Sequence, residues 1–177
     1  MFYYLERDSR FRLGDRGCET PTLGLGEEIV MTGMSETAVE REIRLTIQRL
    51  ADGWNRQDAR LFSLAFTEPH DYVAINGHQM LRQSREDNED MHRQVWNRLY
   101  PEGSRIELNV TGIRALTPDI AVAHATSENE FVAAGEKRSL AGSLTLVLVR
   151  SEEGWLIDAF HNGTREARFA GHLDQDG

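Results

Sequence analysis

Apolar positions recur every three or four residues up to about residue 100 and every second residue after it, so helices precede strands in this chain. Thr37-Ala-Val-Glu40 has the form of a capping box, in which a hydroxyl takes one orphan amide and a carboxylate three residues on reaches back. A helix follows it to about Asn55, with Val39, Ile43, Ile47, Leu50, Ala51 and Trp54 on one face. Asp58 caps a second, shorter helix through Ala59, Phe62, Ala65 and Phe66, and Pro69 ends it. Tyr72-Val73-Ala74-Ile75 reads as a short strand that turns at Asn76-Gly77 and returns through Met80 and Leu81. Ser84 opens a third helix. Its first turns carry Glu86, Asp87, Glu89 and Asp90, which suit the helix dipole, and Met91, Val95, Trp96 and Leu99 are its expected buried stripe.

From Ser104 the period is two. Residues 104–115, 119–132, 138–150 and 154–162 are β-rich runs separated by Thr-Pro-Asp, Ala-Gly-Glu and Ser-Glu-Glu-Gly turns, the pattern of an antiparallel meander. Strands this long must twist, and Gly112 and Gly142 are places for it. The prediction is an α+β domain: a strongly curved antiparallel sheet, made of a long four-stranded meander plus a short N-terminal hairpin, with three helices on its concave face.

Residues 1–36 lack either period and are rich in glycine and arginine, which predicts a disordered extension. The domain spans 37–165, and 166–177 is a polar tail. A net charge of -9 argues against nucleic acid and anionic membranes as partners, since both need a basic face. A small-molecule ligand fits better. The single cysteine, Cys18, forbids an intramolecular disulfide and a thiolate zinc site, so the expected location is cytoplasmic. No phosphate-binding glycine loop, G-x-S-x-G elbow or local histidine pair is present, and neither a cofactor nor a metal is expected.

Trp54-Asn55-x-x-Asp58-Ala59, Asp71-Tyr72-Val73 with Gly77, His92-Arg93, Pro118-Asp119-x-Ala121-Val122-x-His124-Ala125 and Ala159-Phe160-His161-Asn162 resemble the nuclear transport factor 2-like (NTF2-like) superfamily. Within it the chain looks like the SgcJ/EcaC group, related to SnoaL-like and DUF4440 proteins. The resemblance covers about residues 37–164 and implies a cone whose helices and concave sheet face enclose a cavity. That superfamily mixes isomerases, cyclases, dehydratases and epoxide hydrolases with non-catalytic binding domains, so fold alone does not give function.

In such a cone Trp54, Tyr72, Trp96 and Phe160 are the expected wall, and each is equally readable as plain core. His92, at the edge of the third helix's stripe, and His124, between small apolar neighbours, are further candidates for ligand contact. Alternation puts Trp155, Ile157, Ala159 and His161 on one face of the last strand and Leu156, Asp158, Phe160 and Asn162 on the other. The expectation is that Phe160 and Asn162 line the pocket with Asp158 deeper on the same face, while His161 reaches it only through a bulge or else faces outward. Asp158 and His161 are then the candidate acid/base groups, with Asn162 orienting an oxygen. Two functions stand open: acid/base chemistry on a small, mostly apolar metabolite (isomerisation, cyclisation, dehydration or hydration), or non-catalytic binding or dimerisation. Apolar residues on both faces of the later strands predict a homodimer through the outer sheet face.

Overall fold

The computed structural model describes residues 36–165, so the expectations for the N-terminal extension up to residue 35 and for the tail from 166 lie outside the described residues. Helix α1 (Ala38–Arg56) starts on the expected capping box, Thr37 Oγ1 accepting from the Glu40 amide at 3.1 Å and Glu40 Oε2 from the Thr37 amide at 2.8 Å. Asp58 caps α2 (Ala59–Ser63) by accepting from the Leu61 amide at 2.9 Å. Gly53 is required at this joint. A Cβ there would lie 2.5 Å from the Phe62 nitrogen, so any larger residue would push α2 off α1.

Helix α2 is shorter than its apolar spacing predicts. The Ala65 carbonyl accepts from the Ile157 amide at 2.9 Å, which draws the chain into the sheet, and Phe66 opens strand β1 (Phe66–Val73) instead of extending the helix. Pro69 therefore lies inside β1. Having no amide to give to a ladder, it sits where the pairing register with the last strand shifts, between Phe66 and Asp71. After the Asn76-Gly77 turn comes β2 (Gln79–Gln83), and Ser84 caps α3 (Arg85–Leu99) by accepting from the Asp87 amide at 3.0 Å.

The buried face of α3 also differs from expectation. It consists of Asn88, His92 and Trp96, spaced four apart, while Leu99 is 60% exposed and Met91 and Val95 are half-buried. Two polar residues go inside because β1 supplies hydrogen-bonding groups for them, a compensation that hydrophobic periodicity does not register.

The long strands β3 (Ser104–Thr117), β4 (Ile120–Ala133), β5 (Glu136–Ser151) and β6 (Gly154–Thr164) form the expected antiparallel meander. The sheet order is β2-β1-β6-β5-β4-β3. Strand β1 lies beside β6 and runs parallel to it, so the curved, unclosed sheet is mixed instead of wholly antiparallel. On the inner face Ala121, Ala123 and Ala125 of β4 and Leu144, Leu146 and Leu148 of β5 pack under Ile43, Ile47, Phe62 and Phe66. Asn55 ties α1 to the edge strand, donating to the Ile106 carbonyl at 3.0 Å and accepting from its amide at 2.7 Å. Among the described residues no helix is long and apolar enough to cross a membrane.

Candidate functional site

Strand β6 changes phase partway along. Val147 pairs with Ala159 but Leu148 pairs with Ile157, which leaves Asp158 as the extra residue of a bulge. Trp155 and Ile157 are buried before it and Phe160 is buried after it, while Asp158 itself is exposed and accepts from Thr67 Oγ1 at 3.2 Å. The placement of Asp158 on the face of Phe160 is thus corrected, because strict alternation does not survive an inserted residue. Phe160 and Asn162 do line the cavity. His161 faces outward and is exposed, as is His124, whose Nδ1 lies 3.3 Å from Thr145 Oγ1.

The cavity lies between α1, α2 and the inner face of the sheet, with a volume of about 70 Å³. Leu50, Trp54, Phe62, Tyr72, Tyr100, Leu144 and Phe160 give it an apolar, mostly aromatic wall. Phe160 stacks on Tyr72 with centroids 4.6 Å apart, and Tyr100 meets Trp54 edge-on at 5.7 Å. Its polar end is made by Ser127 and Asn129 of β4 and Asn162 of β6. Gly142 makes room for that end. A Cβ on it would run into Ser127 Oγ and stand 2.8 Å from Asn162 Oδ1, so the absence of a side chain on β5 lets those two residues occupy the space. Among the described residues, Trp54 Nε1, Asn129 Oδ1 and Asn162 Oδ1 are buried with no hydrogen-bond partner in the protein.

A second buried polar group stands behind the wall. His70 Nδ1 lies 3.0 Å from the Thr67 carbonyl and its Nε2 2.7 Å from Asn88 Nδ2; His92 Nδ1 lies 2.9 Å from the Asn88 carbonyl and its Nε2 3.5 Å from the Tyr72 hydroxyl. Carbonyls only accept and an amide nitrogen only donates, so both rings carry the proton on Nδ1 and Nε2 of His92 accepts from Tyr72. Burial pushes His92 down to about 4 and also lowers His70, while it raises the Tyr72 and Tyr100 phenols above their ordinary range. All four groups are neutral near pH 7.

Of the residues expected at the site, the structure brings Trp54, Tyr72, Phe160 and Asn162 together around one cavity. His92 and Trp96 are buried one layer behind it, with His92 packed on Phe62 at 4.0 Å and Trp96 edge-on to Trp54 at 5.7 Å. Asp158, His161 and His124 lie outside. Tyr100, Ser127 and Asn129 were missed, although β4 carries a signal for the last two. Its inward positions read Ala121, Ala123, Ala125, Ser127, Asn129, so polarity changes along the face while its period of two does not. No group of three or more metal-ligating side chains is assembled among the described residues. A larger groove of about 540 Å³ runs past Arg105, Glu130, Lys137 and Arg138 at the far end of the sheet, but it is open to solvent and has mixed charge, with Arg138 paired to Glu136 at 3.4 Å.

No protein-family model matches the sequence, and no curated protein matches it. Solved structures do resemble it. A domain of unknown function with a cystatin-like fold from Nostoc punctiforme is 24% identical, over 78% of this chain and 84% of its own, with a TM-score of 0.66. An NTF2-like protein with a cystatin-like fold from Novosphingobium aromaticivorans is 18% identical, over 80% and 97%, with a TM-score of 0.62. The fold is the cystatin-like one of NTF2-like proteins. A ketosteroid isomerase-like protein from Erwinia carotovora atroseptica shares this NTF2-like fold at 13% identity, over 71% and 95%, with a TM-score of 0.59.

Proposed function

We propose that this NTF2-like protein is a small-molecule pocket protein that holds a mostly apolar molecule between α1 and the inner face of β4–β6. The observation that carries the reading is the composition of the cavity lining: aromatic and aliphatic walls, one end with unpartnered polar atoms, and neither carboxylate nor imidazole among the described lining residues. Proton transfer by Asp158 or His161 has no geometric support, since both side chains are exposed on the opposite face. Binding needs no titratable group.

The test is affinity selection of neutral metabolites by the full chain and by Leu144→Trp, which fills the cavity. Retention by the wild type and loss in the folded variant is expected; equal retention by both would move the site elsewhere. A second reading, acid/base enzymology, is favoured by one observation only: the Tyr72 hydroxyl, in the cavity wall, lies 3.5 Å from His92 Nε2. Turnover of a retained metabolite that falls at least about 100-fold in Tyr72→Phe, with binding preserved, would select it. We also propose a homodimer through the outer sheet face, where Val122, Val147 and Ala159 form one half-buried apolar row across β4, β5 and β6.

A further inference from the structure

If the cavity is a binding site, as the reading above has it, its occupant does not fit inside it whole. An apolar cavity of about 150 Å³ holds one benzene ring, so one of about 70 Å³ takes on the order of three heavy atoms. The larger groove opens from the same floor. Strands β3, β4 and β5 pair without a register shift here, so Ser104, Phe131 and Arg138 of the groove and Ile106, Asn129 and Leu140 of the cavity form successive inward rows, about 7 Å apart. Tyr100 joins the two, lining the cavity while its ring meets Phe131 at 5.1 Å. With about 540 Å³, the groove has the volume of an ordinary small-molecule site.

The end that enters meets Asn129 first. That residue is 6% exposed, stands in the cavity row next to the groove, and keeps Oδ1 as a buried acceptor without a donor. Asn162 Oδ1 lies two inward rows further along, beside Leu144, so one small group does not serve both. One acceptor calls for one donor, and a hydroxyl is the smallest uncharged group that supplies it. No described residue of the cavity lining is charged, which excludes an ionic end there. Charges along the groove balance: Arg105 lies opposite Glu130, Arg138 is paired with Glu136 at 3.4 Å, and Lys137 and Glu102 have opposite sign. We propose that the ligand is an uncharged straight-chain molecule of the primary-alcohol class, whose hydroxyl end donates to Asn129 Oδ1 while its chain runs over Tyr100 and Phe131 into the groove.

The experiment is titration of the full chain with 1-hexanol, 1-propanol, cyclohexanol and 1-methoxypentane, an isomer of 1-hexanol that lacks the donor. It is followed through the methyl resonances of Leu144 and the ring resonances of Phe131. 1-Hexanol is expected to shift both residues and 1-propanol Leu144 alone, with 1-hexanol bound roughly tenfold more tightly because three further methylenes leave water. The ether is expected to bind roughly tenfold more weakly than 1-hexanol, and cyclohexanol to leave Leu144 unshifted. In Asn129→Leu the alcohol and the ether should bind alike; should that variant not fold, the wild-type comparison carries the same test. Equal binding of 1-hexanol and 1-propanol with Phe131 unshifted overturns the groove assignment and leaves the pocket reading standing. Equal binding of 1-hexanol and the ether by the wild type overturns the hydroxyl, and a shift of Leu144 by cyclohexanol overturns the straight chain. If none of the four shifts Leu144, the pocket reading itself falls, and the proposal with it.

Discussion

Two buried polar clusters lie within a layer of each other in this protein, and they are built on opposite principles. His70, Asn88, His92 and Tyr72 satisfy one another and the backbone of Thr67 and Asn88, leaving only Asn88 Oδ1 without a partner. At the cavity, Asn129, Asn162 and Trp54 each keep one buried atom unpaired. A largely satisfied network specifies the fold, because alternative packings break its bonds; a cluster with several unpaired atoms beside a cavity leaves room for a water or a ligand to complete it. Buried polarity by itself is therefore a poor guide to a site. What separates the two is how much is left unpaired: one atom of the first cluster, against three at the cavity.

The contrast breaks most visibly on deletion. Asn88→Ala strands His70 Nε2 and removes side-chain packing from the face of α3, and the expected loss is roughly 3 kcal/mol of unfolding free energy in urea. Asn129→Leu removes an acceptor that nothing satisfies together with the amide beside the half-buried Tyr100 phenol, so the expected loss is smaller, about 1 kcal/mol. Equal losses in the two variants would mean that both clusters are structural.

Acid titrates only the closed cluster. Burial holds His92 near 4 against an ordinary 6.5, with His70 shifted the same way, so the folded state resists a proton that the unfolded chain accepts. The stabilising contribution of neutral His92 is complete above pH 6.5 and is lost as pH falls towards 4, on the order of 3 kcal/mol across that window. His92→Gln should flatten the stability profile between those limits. A profile unchanged by that substitution would show that His92 is solvated.

The sequence carried the caps, the meander and the order of elements because these are local: Thr37, Asp58 and Ser84 each bond an amide three residues on. It misplaced features that depend on contacts distant in sequence. Phe66 leaves α2 for a strand because Ile157 bonds Ala65, and α3 buries His92 instead of Leu99 because Tyr72 and Phe62 lie against it. The site was half legible for the same reason. Phe160 and Asn162 follow from one strand's own alternation, but the bulge at Asp158 is visible only against β5, and Ser127 and Asn129 become a polar end only once Gly142 is beside them.

Gly142→Ala sharpens the comparison at intermediate cost. The new methyl meets Ser127 Oγ and Asn162 Oδ1, both on side chains that can shift, so the expected destabilisation is about 1 kcal/mol, less than at Asn88. Its effect on the open cluster is larger in kind. Thermal stabilisation by a cavity ligand should be reduced, because the groups that orient the ligand have been displaced; an undiminished shift would detach Ser127 and Asn162 from the site.

The smallest effect is expected at His161, and it bears on the enzyme reading most directly. Its imidazole is exposed on the outer face, one strand from Thr145 and two from His124, while its neighbours in sequence, Phe160 and Asn162, line the cavity. Truncation there removes no buried contact. His161→Ala should therefore alter stability by no more than about 0.5 kcal/mol and leave ligand affinity at its wild-type value. Mass by light scattering separates the remaining possibilities, since a ring on the outer face can contribute to pairing between copies without touching the cavity. Unchanged affinity with a shifted monomer–dimer equilibrium would assign His161 to the proposed dimer face, whereas a tenfold loss of affinity at constant mass would mean that the bulge at Asp158 does not hold in solution and that His161, not Phe160, turns inward.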